Sequence, residues 1–316
     1  MNILLLEAAQ FVLTLALAPL LSGWVRLVKA RLNGRRGPSP WQPYRDLARL
    51  LRKDAVLAEN ASWLFRSSPY LIFAAIWLAA VIVPTFSLNL PLTSTADLIA
   101  LVALLGSARF FLALAGMDIG TSFGGIGSSR EMMIATLAEP AMLMVTFMMA
   151  MVVQTTALPA IASYFLTHNP SVQISLGLAL IALLQVAIAE NARVPIDNPA
   201  THLELTMVHE AMVLEYSGRH LAMIEGAAML KLALYMALIA CLFVPWGLAQ
   251  DATDTGAVAL GLATYVGKLA VGGTLLAVFE TSIAKMRVFR VAEFLGGSLL
   301  LGILAIIFLY IAQAQP

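Results

Sequence analysis

Eight apolar stretches dominate this sequence, each about the roughly 20 residues that a helix needs to cross a bilayer. The chain is 60% hydrophobic and only 12% charged, whereas soluble domains carry roughly 25% charged residues. These values exclude a soluble globular protein and predict an all-α polytopic membrane protein with about eight transmembrane helices. The predicted spans are Ile3–Val25, Pro69–Leu90, Leu98–Gly116, Met132–Val153, Val172–Ala192, Leu221–Trp246, Ala257–Val278 and Val291–Ile311.

Basic residues mark one side of these spans. Sixteen of the 19 Lys and Arg residues fall in or beside the first, third, fifth and seventh connections, and the other three lie inside spans. By the positive-inside rule those connections are cytoplasmic and both termini lie outside. We expect one integral membrane domain over residues 1–316, multi-pass in the cytoplasmic (inner) membrane. Its cytoplasmic loops are predicted at about 26–68, 117–131, 193–220 and 280–290.

The composition also excludes several kinds of site. A formal net charge of +1 offers no overall attraction to nucleic acid. The only cysteine, Cys241, cannot form an internal disulfide or build a cysteine-ligated metal or iron-sulfur site within the chain. We therefore expect neither a nucleic-acid partner nor a metal site.

The first connection carries an amphipathic pattern. Tyr44, Leu47, Leu50 and Leu51 follow helical spacing, with arginines on another face. This predicts a cytoplasmic surface helix that contacts anionic lipid or a docked partner. Just before it, Arg35 and Arg36 precede Gly37 and Pro38, and two adjacent arginines suit a phosphate, a carboxylate or a lipid headgroup. These four residues are candidates for a docking or cavity loop.

Charged residues inside spans are costly, so each indicates either a functional site or a structural ion pair. Together they suggest a polar track through the membrane. At the end of the fifth span, Glu190 and Arg193 are spaced to pair with each other. The intramembrane candidates are Glu7, Arg109, Glu139, Glu190, Glu225, Lys231 and Lys268.

Acids and histidines are densest in the fifth connection. Asn198 followed by Pro199 predicts a helix start, and the helix runs towards Leu214. Its apolar companions predict that the carboxylates are buried, and groups that exchange protons near neutrality suit a proton path. Zinc is disfavoured because the i, i+4 histidine pair of a metalloprotease helix is missing. The candidate residues here are Asp197, His202, Glu204, His209, Glu210, Glu215 and Tyr216.

A glycine-rich stretch at 120–127 precedes the fourth span. Because no strand precedes it, the stretch is predicted to be a flexible cytoplasmic turn and not a nucleotide-binding loop. Ser128 and Glu131 match a capping box that would open the fourth span.

Several motifs together resemble the respiratory complex I subunit 1 family, which includes formate hydrogenlyase subunit 4 and the membrane anchors of group 4 nickel-iron hydrogenases. The resemblance covers nearly the whole chain. Matching segments are Arg35-Arg36-Gly37-Pro38, Gln42 and Asp46, Leu50 to Lys53, Leu64-Phe65-Arg66 with Pro69, Glu139, Pro195 with Asp197, and Glu215-Tyr216-Ser217-Gly218.

The resemblance implies a membrane subunit at the junction between a peripheral redox arm and antiporter-like membrane subunits. This chain would then carry no cofactor, while partner subunits hold a nickel-iron centre and iron-sulfur clusters. The implied partners are hydrogenase large and small subunits, iron-sulfur proteins, antiporter-like subunits and membrane lipid. Taken with the charges inside the predicted spans, the resemblance gives these candidate proton-path residues: Glu139, Glu190, Asp197, Glu204, Glu215, Lys231 and Lys268.

Three functions stay open on the sequence. The favoured one is an anchor and proton-coupling subunit of a hydrogen-metabolising oxidoreductase; the others are a quinone-chamber subunit of a complex I-like dehydrogenase and a stand-alone ion transporter. Lys231, thirteen residues after Gly218, and the departure of the loop around His202 from the complex I pattern favour the hydrogenase branch. Against a transporter, no repeat occurs at half-chain spacing.

Overall fold

A computed structural model describes residues 3–168, 174–197, 208–250, 254–286 and 290–314. Within these ranges the chain forms helices and no named strand, which confirms the predicted all-α class. A short 3-10 turn at Thr93–Thr95 precedes the fourth helix. The α-helices are α1 (Ile3–Leu32), α2 (Gln42–Leu51), α3 (Trp63–Ile82), α4 (Leu98–Asp118), α5 (Ser122–Val153), α6 (Leu158–Thr167), α7 (Ile174–Glu190), α8 (His209–Val213), α9 (Gly218–Phe243), α10 (Thr255–Ser282) and α11 (Val291–Ala314).

Seven of these helices are long and apolar enough to cross a membrane. They correspond to seven of the eight predicted spans. The remaining prediction, Val172–Ala192, corresponds to α7, an apolar helix with 17 residues in the described part of the chain. The protein is therefore an integral membrane protein, as its apolar content requires.

The helices pack as a bundle. α3, α4 and α5 follow one another in contact, and α11 packs against both α5 and α7. α9 lies against α1 and α3, and α10 covers the other flank of α1. The connections between the helices lie at two opposite ends of the bundle. We call the end that carries the connections after α1, α4, α7 and α10 the basic end.

The amphipathic helix is present as α2, which begins at Gln42, two residues before the predicted start at Tyr44. It contacts α1 and α9 at the basic end. The Tyr44 hydroxyl donates a short hydrogen bond to the Ala16 carbonyl of α1. Trp41 and Leu51 are exposed at its two ends.

The glycine-rich stretch is not a turn throughout, and that prediction is wrong for residues 122–127. α5 begins at Ser122, with the Thr121 hydroxyl accepting the Gly124 backbone N–H at 3.2 Å. The capping box at Ser128 does not form, because Ser128 is already helical and donates to the Ala113 carbonyl. The glycines instead allow close packing: a Cβ at Gly127 would lie 2.9 Å from the Met212 side chain of α8.

Candidate functional site

Arg109 of α4 lies in the bundle interior, 4% exposed, among charged residues from three other helices. Its Nε atom is 3.1 Å from Oε1 of Glu131 on α5. Its Nη2 atom forms a closer ion pair with Oε1 of Glu190 on α7. On the other side of Glu190, Oε2 is 3.6 Å from Nζ of Lys231 on α9. We call Arg109, Glu131, Glu190 and Lys231 the Arg109 network.

The Arg109 network joins four helices and balances two cations against two carboxylates. Glu131 and Glu190 are 5% and 7% exposed, so their charges are shielded from water and lipid alike. Removing ions from water costs several kcal/mol each, and the cost is offset only when opposite charges lie close together. The network meets that condition. The predicted pairing of Glu190 with Arg193 is wrong, because Glu190 turns inward to the network.

His209 of α8 reaches the network from the basic end. A small cavity of about 20 Å³ is lined by His209, Arg109, Glu131 and Lys231 together with apolar side chains. A polar cavity of that size has room for about one water molecule. Burial lowers the pKa of the His209 imidazole and Lys231 lowers it further, against the opposing effect of the Glu131 carboxylate. Neutral imidazole can both accept and donate a hydrogen bond there.

Glu139 lies on α5, eight residues beyond Glu131 and about 12 Å further along the helix. Glu139 is half-buried. Its Oε1 would be 3.2 Å from a Cβ at Gly106, so only glycine at that position leaves this space for the carboxylate. The carboxylate lines a cleft of about 360 Å³ between α4 and α5. Arg109 lines both this cleft and the small cavity. The other cleft residues are Val102, Ala103, Gly106, Ser107, Phe110, Met132 and Ala135.

Lys268 lies apart from the Arg109 network. Its ammonium donates to the carbonyls of Val244 and Trp246, both at 2.6 Å. These carbonyls follow the last turn of α9, about 20 Å along the helix direction from Lys231. The contacts describe a cation that satisfies carbonyls at a helix C-terminus, as the helix dipole favours.

Asp197 joins two connections at the basic end. Its Oδ1 accepts from Lys285 Nζ at 3.1 Å, and its Oδ2 accepts from the Val208 backbone N–H at 3.3 Å. Asp197 is 4% exposed. The carboxylate therefore holds the residue that precedes α8 against the chain that leaves α7. Its predicted role in a proton path stays a prediction.

The family-matching segment Glu215-Tyr216-Ser217-Gly218 docks on the first connection. Tyr216 stacks on Phe65 of α3, and burial raises the pKa of the Tyr216 phenol, with Asp118 adding to the effect. Ser217 Oγ accepts from the Val56 N–H at 2.8 Å and donates to the Val56 carbonyl at 2.9 Å. Gly218 has φ of +53°, and a Cβ there would lie 2.4 Å from the Asp54 carbonyl oxygen. Two of the family-matching segments, far apart in sequence, thus form one surface.

Glu215 is exposed beside this surface and is not part of the Arg109 network. Arg35 and Arg36 are also exposed at the basic end. Gly37 packs on α1, where a Cβ would lie 2.9 Å from the Leu27 side chain. Pro38 follows in the exposed segment leading to α2.

The segment that carries His202 and Glu204 lies outside the described residues, as does most of the helix predicted from Asn198 to Leu214. Its described end is α8, with His209 and Glu210 in the first turn. Both of these side chains are half-buried. Among the described residues, no group of three or more His, Cys, Asp or Glu side chains is placed to hold a metal ion.

Two buried acids, Glu131 and Glu280, were not among the predicted site residues. Glu131 was assigned to a capping box, although the true start of α5 at Ser122 puts it inside the helix. Glu280 was assigned to a cytoplasmic loop, but it is 6% exposed and pairs with Lys29 and Arg193. Each of these acids continues the helix of an adjacent apolar span. That continuity in the sequence could have indicated that both are buried.

A bundle of membrane-crossing helices around a buried, charge-balanced network defines this chain as a polytopic membrane protein. The family model described as NADH dehydrogenase matches residues 6–311. The chain therefore belongs to the NADH dehydrogenase family, which is the complex I subunit 1 family that its motifs resemble.

Two curated relatives come from Escherichia coli (strain K12). Formate hydrogenlyase subunit 4 is 35% identical over 278 residues, which cover 88% of this chain and 89% of that protein. Hydrogenase-4 component C is 33% identical over 243 residues, covering 77% of this chain and 76% of that protein.

The fold also matches a solved structure. It is a chain of the membrane-bound sulfane sulfur reductase, described as an archaeal respiratory membrane complex. The TM-score is 0.81 at 18% identity, with 97% of this chain and 99% of that chain covered. At this identity the match supports the fold alone.

Proposed function

We propose that this chain is the membrane anchor and proton-coupling subunit of a multi-subunit, hydrogen-metabolising oxidoreductase of the formate hydrogenlyase or group 4 hydrogenase type. The names of its two bacterial relatives favour this class. The single observation that carries the coupling role is the Arg109 network, four balanced charges in the interior of a membrane protein. Charges there are expensive, and in membrane proteins they mark ion pathways.

The network has groups with distinct chemical roles. Arginine stays protonated in proteins, so Arg109 acts as a fixed positive charge between two carboxylates. Carboxylate and imidazole groups can take up and release protons. His209, the small cavity and Glu131 form the entry from the basic end. Glu190 and Lys231, whose atoms are 3.6 Å apart and beyond hydrogen-bond range, form a pair that a proton can rearrange.

Glu139 is the residue at which we propose that the proton leaves this chain. Its cleft opens beside Phe110 and Met132, which are exposed on the outside of the bundle. A carboxylate at such a position costs free energy in lipid. An antiporter-like membrane subunit of the same complex is the proposed cover, and it would continue the path away from this chain.

The basic end is the proposed docking face for the peripheral arm, with hydrogenase large and small subunits and iron-sulfur proteins as partners. The exposed Arg35 and Arg36 would contact it. The nickel-iron centre and iron-sulfur clusters would reside in that arm and supply the redox chemistry. We place the chain in the cytoplasmic (inner) membrane with both termini outside, on the distribution of its basic residues.

Purification of the intact complex tests the class of function. We expect nickel in the preparation, hydrogen evolution or uptake, and resistance to quinone-site inhibitors. A preparation without nickel that shows inhibitor-sensitive quinone reduction would replace this proposal with a quinone-chamber subunit of a complex I-like dehydrogenase.

Variants of the Arg109 network test the coupling role. In proteoliposomes, Glu131→Gln, Glu190→Gln and Lys231→Met should each lower hydrogen turnover and proton movement by about tenfold or more, because general acid-base steps contribute at least that much. Electron transfer from the arm to a soluble dye should persist. Glu293→Gln, at an exposed carboxylate in the first turn of α11, is the matched control. Unaltered proton movement in all three variants would show that the network is structural.

A further inference from the structure

Glu280 sits where three parts of the chain meet at the basic end. Its side chain is 2% exposed at the last turns of α10. Oε2 is 3.0 Å from Lys29 Nζ near the end of α1, and Oε1 is 3.4 Å from Arg193 Nη1 just after α7. One buried carboxylate therefore ties α10 to α1 and to the connection that follows α7.

A second set of contacts lies four residues further along that connection. Asp197 accepts from Lys285, three residues beyond the end of α10, at 3.1 Å. The Met286 backbone N–H donates to the Pro195 carbonyl at 2.8 Å. The connection after α7 is thus held at three points against the end of α10 and the connection that follows it. We call Lys29, Arg193, Asp197, Glu280 and Lys285 the clasp.

The clasp reaches α8 through Asp197. The second oxygen of this carboxylate accepts from the Val208 N–H, and Val208 is the residue immediately before His209. The Val208 carbonyl lies where α8 meets the glycine-lined face of α5, since a Cβ at Gly127 would be 3.0 Å from it. Because one carboxylate holds Lys285 and Val208 together, its position sets where α8 begins.

We propose that Asp197 and Glu280 are positioning residues, and that the clasp holds His209 against the small cavity beside Glu131 and Lys231. The oxygen geometry supports this role, because both oxygens of each carboxylate are engaged and each joins segments distant in sequence. Asp197 then acts on the Arg109 network through α8 and does not itself carry the proton. The inference rests on the proposed function only in treating His209 as part of the proton entry.

The test measures how readily His209 reacts with diethyl pyrocarbonate in the intact purified complex, with peptide mass spectrometry to resolve each histidine. Lys285→Met and Asp197→Asn should raise the rate at His209 by about fivefold or more, because loss of the ion pair lets α8 open locally. Lys285→Arg keeps the charge and should stay within about twofold of the parent protein. His168, exposed at the opposite end of the bundle, serves as the internal control.

Arg49→Met is the matched control variant, since it breaks an exposed ion pair with Asp46 at 3.4 Å and should leave the His209 rate unchanged. Should Lys285→Met prevent assembly, Lys29→Met breaks the most exposed pair of the clasp and should still raise the rate. An unchanged rate at His209 in the assembled variants, or equal rates in Lys285→Arg and Lys285→Met, would overturn the clasp.

The measurement needs neither hydrogen nor an electron donor. A result that refutes the clasp would therefore not contradict the proposed proton coupling by Glu131, Glu190 and Lys231. Conversely, loss of the coupling proposal would not change the expected reactivity of His209.

Discussion

Tyr216 lies flat on Phe65, with ring centroids 3.9 Å apart and planes within 4°, and its hydroxyl donates to the Phe65 carbonyl at 3.1 Å. This contact joins Tyr216, two residues before the start of α9, to the first turn of α3. It therefore connects two of the segments that match the family. A tyrosine at this position combines a ring for stacking with a hydroxyl for the backbone carbonyl.

The Tyr216–Phe65 contact predicts graded effects on stability. Tyr216→Phe keeps the stacked ring and should cost about 1 kcal/mol for the hydrogen bond. Tyr216→Leu also loses the aromatic pair and leaves a cavity, so it should cost about 2 to 4 kcal/mol. Thermal unfolding of the detergent-solubilised complex measures the difference. Equal melting temperatures for the two variants would contradict the ring-stacking part of this argument.

The Arg109 network predicts that replacing the arginine severely lowers the stability of the protein. Arg109→Met leaves Glu131 and Glu190 buried without their shared cation, and breaking such a pair costs about 3 to 5 kcal/mol. Adding Glu131→Gln alone to Arg109→Met should recover part of that loss, because Glu190 keeps its ion pair with Lys231 and the buried charges balance again. Yield and melting temperature report the effect. A fully stable Arg109→Met protein would show that the ion pairs of Arg109 do not stabilise the fold.

The hydrogen bonds of Asp97 at the start of α4 should make a pH-dependent contribution to the stability of the folded protein. Burial alone would raise the pKa of this carboxyl, but hydrogen bonds from the Thr156 hydroxyl and the Ile99 and Ala100 N–H groups outweigh it and hold the pKa below its usual value. A lowered folded-state pKa gives stability that is fully present above the unfolded value and is lost as pH falls through the folded one.

The stability difference between the parent protein and Asp97→Asn should therefore be constant above about pH 5 and shrink below about pH 4. Melting temperatures measured across this range test the prediction. A difference that grows on acidification would reverse the sign and exclude the carboxylate as the cause.

Membrane topology is tested by cysteine labelling. In a Cys241→Ala background, a cysteine at Ser39 should react with an impermeant reagent from the cytoplasm, and one at Thr255 from outside. The two positions lie at opposite ends of the bundle, and both are exposed. Labelling of both from one side would contradict the arrangement of spans.

Charge reversal at the basic end tests docking. Arg35→Glu combined with Arg36→Glu should release the peripheral arm from the membrane, because both exposed cations would become anions. The released arm should keep its redox activity towards a soluble dye. Loss of that activity in an intact, released arm would contradict a docking role for these two arginines.

Some features followed from the sequence because they depend on local pattern. A bilayer requires about 20 apolar residues per helix, so the spans were evident without any knowledge of packing. The surface helix α2 followed from apolar residues at helical spacing with arginines on another face. The family followed from signature segments that sequence comparison detects directly.

The tertiary structure alone decided which charges meet. Arg109, Glu131, Glu190 and Lys231 lie on four helices and span 122 positions of sequence, so their pairing depends on how those helices rotate and cross. No periodicity within one helix reports that rotation, because each span is apolar on nearly all sides. Glu190 therefore pairs with Arg109 instead of Arg193, and Lys268 donates hydrogen bonds to carbonyls at the end of α9. The bilayer determines where a helix must run, whereas contact between helices determines which of its buried polar groups acquire a partner.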